Sequence, residues 1–251
     1  MKIKFALKAA ALAATLVFSG ASQAAAGINY NPVALGTVYG GAWLDTASHG
    51  EQGLSVYELT GTTLGDAILA FCIEPATAQG PFTTYTQGSS SSLSNLFPGA
   101  LGSMDRAARI HSLFEQSYAG LSTGSATENI QNRLAFQVAL WDLVADDGNL
   151  ATGSQHLNNS IAFYSTGDDF VELDLGAANT MLENSKTVVT TNSYKYTTFS
   201  GVYGGANTPS QMLLSVSAVP EADTWAMMMV GLGLLGFMGR RKAGKGEKFA
   251  A

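Results

Sequence analysis

Two residues in this chain have types and positions suited to covalent chemistry: Cys72, the sole cysteine among 251 residues, and Gln137. Cys72 stands in the apolar run Ala67-Ile68-Leu69-Ala70-Phe71-Cys72-Ile73. Such a run predicts a strand over 66–73 buried on both faces, ended by Glu74-Pro75 because proline cannot donate a ladder hydrogen bond. Gln137 falls three residues after Leu134 and four before Trp141, so helical spacing places its carboxamide on a buried stripe. A buried amide without partners costs about 1–3 kcal/mol, so something must satisfy it. If strand and helix pack together, thiol and amide meet. Attack of the Cys72 thiolate on the Gln137 carbonyl, with loss of ammonia, gives an internal thioester, an electrophile that amines open. That chemistry requires thiolate character at Cys72 and exclusion of water. The structural alternative makes Cys72 a small buried hydrophobe and Gln137 a cap on a neighbouring carbonyl.

The elements that must position the pair are legible as patterns. β-branched and aromatic residues mixed with Gly and Thr predict strands over 33–44, 54–60, 187–199 and 211–219. A helix is expected over 105–118, with Ile110, Leu113, Phe114 and Tyr118 on one face and Ser103 as its cap. A second is expected over 127–144, with stripes Ile130, Leu134, Val138, Trp141 and Phe136, Leu140, Leu143, ending at Asp146-Asp147-Gly148-Asn149. Residues 86–95, with four consecutive serines, read as a flexible loop. The resulting fold class is α+β: mainly β, a sandwich or barrel-like sheet with a two-helix insertion.

Composition supports a turn-rich β protein, with 46% apolar residues, 28 glycines and only 13% charged residues against a norm of roughly 25%. The net charge of −6 conceals a strongly acidic middle. Residues 25–219 carry 16 acids against 5 bases, a charge of −11. This surface repels phosphate backbones, and nucleic acid is excluded as a partner.

Both ends read as addresses. Residues 1–24 have Lys2, Lys4 and Lys8, then an apolar stretch, then Ser22-Gln23-Ala24. That is the pattern of a signal peptide, implying secretion machinery and signal peptidase as partners. At the other end, Val219-Pro220-Glu221-Ala222-Asp223-Thr224-Trp225 precedes a segment rich in Met, Leu and Gly, closed by Arg240-Arg241-Lys242. The basic cluster would stay cytoplasmic under the positive-inside rule. Residues 225–239 would give about 22 Å of helix, short of the roughly 30 Å hydrocarbon core.

The Pro-Glu dipeptide, short Gly-rich hydrophobic helix and terminal Arg cluster resemble the PEP-CTERM sorting signal of Gram-negative bacteria, with Ala222 where the name-giving form has Pro. The resemblance implies processing by an exosortase, a membrane cysteine protease or transpeptidase, after transient anchoring in the inner membrane. The expected organisation is then a signal peptide over 1–24, an extracytoplasmic domain over 25–219, the sorting signal with its membrane helix over 220–242, and a cytoplasmic tail over 243–251. A second likeness is narrower. Phe71-Cys72-Ile73 with Phe136-Gln137-Val138-Ala139-Leu140-Trp141 is similar to the thioester domains of bacterial surface adhesins. That similarity implies Cys72 as the acylated sulfur, Gln137 as the acyl donor and Trp141 packing nearby. Phe136 departs from the Thr often found before the Gln, and the two motifs stand closer together than in those adhesins.

Other constellations are weaker. Asp142, Asp146, Asp147 and Asn149 form one acidic cluster, and Asp168, Asp169, Glu172 and Asp174 another. Without EF-hand spacing both read as solvated surface rather than a calcium site. His49, His111 and His156 match no zinc spacing, and neither metal nor cofactor is expected. No nucleophile elbow, P-loop or His-Glu-x-x-His is present, so an enzyme is not expected. The expected function is an exported surface or matrix protein, structural or adhesive in biofilm, with surface amines or matrix polysaccharide as targets. The alternative is an exported carbohydrate-binding module or hydrolase, with Trp43, Tyr57 or Tyr203 as sugar platforms.

Overall fold

A computed structural model describes residues 27–31, 44–46, 50–52, 54, 56–60, 68–77, 84–90, 92–153, 163–166, 169–203, 208–219 and 228–235. The signal peptide expected over 1–24, most of the strand expected over 33–44, and Pro220 to Ala222 with the Arg240, Arg241 and Lys242 cluster lie outside these residues.

Six strands form the body: β1 (Gly27–Asn31), β4 (Val56–Thr60), β5 (Ile68–Cys72), β6 (Thr84–Ser90), β11 (Tyr194–Tyr203) and β12 (Thr208–Ala218). They close into a barrel in the order β1-β4-β5-β12-β11-β6, with β6 returning to β1 and every pairing antiparallel. Closure gives the ring no free edge strand. Three two-stranded ribbons complete the strands: β2 (Leu44–Thr46) with β3 (Gly50–Gln52), β7 (Ala100–Leu101) with β8 (Met104–Asp105), and β9 (Phe163–Thr166) with β10 (Asp169–Glu172).

Among the described residues, the stretch between β6 and β11 forms four helices: a single turn α1 (Leu93–Leu96), then α2 (Arg106–Ser117), α3 (Ala126–Ala145) and α4 (Leu175–Ser185). α2, α3 and α4 pack on one another, and α3 also packs on β4 and β5. The mixed α+β expectation holds, and barrel is the correct one of its two β architectures, but the insertion carries four helices where two were expected, α1 and α4 being the additions. α3 starts with a capping box, Ser125 Oγ accepting from Glu128 N while Glu128 Oε2 accepts from Ser125 N. Every residue from Leu134 to Leu143 is buried, as expected of a helix with two apolar stripes.

Three local expectations need correction. Residues 86–95 are not a loop: Thr84–Ser90 is a barrel strand, and tertiary pairing with β1 and β11 overrides the Gly and Ser composition. The cap of α2 is Asp105, whose Oδ1 accepts from Ala108 N at 2.9 Å, because Ser103 is used up in the turn joining β7 to β8. Residues 187–193 are irregular, and β11 starts at Tyr194. Side chains of α2 claim that backbone before the sheet can. Ser112 Oγ accepts from Val189 N at 3.1 Å, and Glu115 Oε1 accepts from Ser193 N at 2.7 Å.

Glu115 also accepts from Thr191 Oγ1 at 2.9 Å. Burial pushes its carboxyl up, but the bonds from Ser193 and Thr191 and the nearby His111 outweigh it and hold the pKa below the ordinary 4.5. A depressed folded pKa contributes stability that is present above the unfolded value and is lost as pH falls through the folded one. Glu115→Gln is therefore expected to destabilise at neutral pH and to match the wild type in strong acid. Urea midpoints measured at pH 7 and below pH 3 check this, and an equal deficit at both would remove the carboxylate from the account.

Candidate functional site

The covalent candidates meet where the barrel touches the helices. Ile73 N donates to Met212 O at 3.0 Å, so alternation along the strand turns the N–H and C=O of Cys72 to the opposite edge, toward β4. The register of β4 with β5 reaches only Val56↔Phe71. Beyond it, the Gln137 side chain from α3 takes the place of a strand backbone. Its Oε1 accepts from Cys72 N at 2.8 Å and its Nε2 donates to Cys72 O at 2.8 Å. Trp141, one turn further along α3, donates its indole N–H to the same carbonyl at 3.0 Å. Cys72 and Gln137 are fully buried and Trp141 nearly so.

The surroundings fix both partners. Phe71 packs among Phe114, Phe136 and Tyr118, with ring centroids 6.1, 4.7 and 6.2 Å away. On the far side of Cys72, Glu74 Oε2 accepts from Met212 N at 3.0 Å and ties the end of β5 to β12. Sequence reasoning missed this role of Glu74, although a carboxylate just past a buried strand is a signal for one.

Burial pushes the Cys72 thiol up to about 12. The Glu74 backbone and the Trp141 indole pull the other way, and the Glu74 charge adds to the rise. The sulfur is thus a neutral thiol at physiological pH, sealed from water.

A second polar group lies inside the helices. Asp142 is 3% exposed, and neither of its carboxylate oxygens has a hydrogen-bond partner. This corrects the expectation of a solvated acidic surface for Asp142, which follows Trp141 within the fully buried stretch of α3; Asp146 is half-buried, and Asp147 and Asn149 are exposed. Burial, then the charges of Asp146 and Asp147, raise its pKa to about 7. The backbones of Gly148 and Asn149 oppose the rise without closing a hydrogen bond of ordinary geometry. Across from it, Arg109 of α2 is also buried, donating to Leu182 O at 3.0 Å, Gly148 O at 3.3 Å and Ser185 Oγ at 3.1 Å.

The remaining candidates disperse. His111 bonds Tyr196 Oη at 3.0 Å and Thr191 O at 2.7 Å, while His49 and His156 lie outside the described residues. Tyr57 is 4% exposed and donates to Gln211 Oε1 at 3.2 Å, so it is a core residue and no sugar platform. Trp43 and the side chain of Tyr203 are outside the described residues. Asp174 caps α4, accepting from Ala177 N at 3.0 Å. An open cleft of about 800 Å³ lies along α2 and β11, bordered by Asp105, His111, Asn192, Tyr194, Lys195 and Val219, and does not reach Cys72.

At the C-terminal end, Val219 N donates to Ser193 O at 2.8 Å, pinning the chain where the barrel stops. Residues 228–235 form a helix whose Met228, Met229, Val230, Leu232, Leu234 and Leu235 are all exposed. Its eight residues rise about 12 Å, and no helix among the described residues is long and apolar enough to cross a membrane.

Comparison with known proteins places one segment. Residues 218–242 match the PEP-CTERM protein-sorting motif. The motif implies an exported protein with a C-terminal membrane anchor before processing, and an exosortase as the processing partner. No curated protein and no solved structure matches the chain.

Proposed function

We propose that this chain is an exosortase-processed surface protein, structural or adhesive in an extracellular matrix, whose barrel domain carries an internal thioester between Cys72 and Gln137. One observation carries the reading: the Gln137 carboxamide is held at both ends by the backbone of the residue whose sulfur would attack it. The Cys72 N–H already points at Oε1, the oxygen on which negative charge develops during attack, and so serves as a preorganised donor. The step balances without redox chemistry. The Sγ–Cδ bond forms, the Cδ–Nε2 bond breaks, and the thiol proton leaves with the nitrogen as ammonia. Burial keeps the sulfur protonated, so the thiolate expected from the sequence is not preformed and the thiol proton passes to Nε2 as attack proceeds rather than before it. The same burial protects the product from hydrolysis. An amine would reach the buried bond only on local opening between β5 and α3, and its attack would then leave the protein covalently attached to its target.

Intact-mass measurement of the protein purified from an exporting host tests the reading. The expected mass is lower by one ammonia, with Cys72 resistant to alkylation under denaturation, and both Cys72→Ala and Gln137→Ala abolish the deficit. A full mass with Cys72 freely alkylated leaves Gln137 as a noncovalent staple.

The cleft supports a second reading, as a carbohydrate-binding module for matrix polysaccharide. Tyr194 beside Asp105, Asn192 and Lys195 combines an aromatic face with hydroxyl-binding groups. Retention on the host's own polysaccharide that is lost in Tyr194→Ala and kept in Cys72→Ala favours this reading.

A further inference from the structure

We propose that Asp142, Asp146 and Asp147, at the C-terminal end of α3, hold a divalent cation of the calcium class. Each offers a carboxylate oxygen, and these oxygens lie within 4.8 Å of one another. Three oxygens no more than 4.8 Å apart share a point within about 2.8 Å of each, close to the 2.3–2.6 Å of calcium–oxygen bonds, so small side-chain adjustments bring all three to one ion. Proximity of acids would carry little by itself. The decisive observation is Asp142: a carboxylate 3% exposed, with both oxygens unpartnered, within that cluster. A buried carboxylate left in this state is costly, and a cation supplies what it lacks.

The rest of the cluster is arranged around it. Asp147 is set by its own loop, Oδ1 accepting from Asn149 N at 3.0 Å and Oδ2 from Thr152 Oγ1 at 2.7 Å. Gly153 lets the backbone approach Asp146, since a Cβ there would fall 2.1 Å from Asp146 Oδ1. Among the described residues two guanidiniums stand nearby and both are engaged by other groups: Arg109 donates to Leu182 O, Gly148 O and Ser185 Oγ, and Arg106 Nη1 donates to Leu143 O and Val144 O at 2.6 Å. Oxygen-only ligands favour calcium over softer metals, and water completes the six to eight positions it takes. Extracellular modules bind calcium at roughly 10⁻⁴–10⁻³ M, the range suited to an exported chain.

The test uses the full chain in mild detergent, stripped with EDTA and titrated with CaCl₂. One equivalent is expected to bind with measurable heat, and at about 10 mM the Tm rises by about 3–10 °C, while NaCl at equal ionic strength gives no such rise. Asp142→Asn removes the ligand while keeping side-chain volume, and Asp147→Asn does so on the exposed loop with less hazard to folding. Each is expected to weaken binding at least about tenfold. No heat and no Tm shift in the wild type, or an undiminished response in both variants, overturns the proposal.

Discussion

Phe71→Ala is expected to lower the free energy of unfolding by about 3–5 kcal/mol, a large share of the roughly 5–15 kcal/mol that holds a typical domain together. Phe71 is fully buried on the central strand of the barrel–helix contact, with its ring against Phe114, Phe136 and Tyr118. Its partners come from α2, α3 and the 3₁₀ turn Tyr118–Ser122, so the helices lose a shared anchor at once. The cavity cannot close cheaply, because Phe114 and Phe136 already pack edge to face at 5.0 Å. Phe71→Leu, which retains most of the volume, should cost no more than about 1.5 kcal/mol. Urea unfolding of both variants checks the pair. Equal midpoints would mean that the ring is not what joins barrel to helices.

Removing a buried charge is the second large effect. Arg109→Met is expected to cost about 3–5 kcal/mol. Burial lowers the pKa of Arg109, and Asp142, Glu183 and Asp147 act in the other direction to keep it charged. The substitution strips donors from Gly148 O and Leu182 O and leaves Asp142 buried without its compensating cation. Gly148 is bound into the same arrangement, since its φ is +79° and a Cβ there would lie 2.1 Å from Arg109 Nη1. Adding Asp142→Asn to Arg109→Met is expected to recover about 0.5–3 kcal/mol, the coupling usual for groups in one network. Strict additivity of the two substitutions would show that Arg109 does not serve Asp142.

Much of this was readable because burial leaves a strong signature. The apolar run before Glu74-Pro75 became β5, and the double stripe of 127–144 became α3 within a residue at each end. The meeting of Cys72 with Gln137 followed from asking what could satisfy an amide on that stripe. Helix α4 escaped notice because Gly176, Asn179 and Thr180 are poor helix formers. Its buried positions, Ala178, Leu182 and Ser185, make only a faint stripe ending in a serine. β6 was masked by Gly and Ser, since its strand character comes from its barrel neighbours rather than from its own residues. Asp142 was misjudged, and Arg109 passed over, for a different reason. Charged residues are almost always exposed, and only tertiary packing of α2, α3 and α4 puts these two inside. Position four residues after Val138 was the available clue for Asp142.

The bond from Val219 N to Ser193 O gives the tail a mechanical consequence. A drag force on the domain, while its tail is still tethered, enters at Val219 and runs along β12. That strand is bonded on both edges, to β11 from Tyr194↔Ala218 to Tyr203↔Thr208 and to β5 at Leu213↔Cys72. A pull along its axis loads these bonds together in shear instead of peeling them one by one, and the load passes into the strand that ends at Cys72.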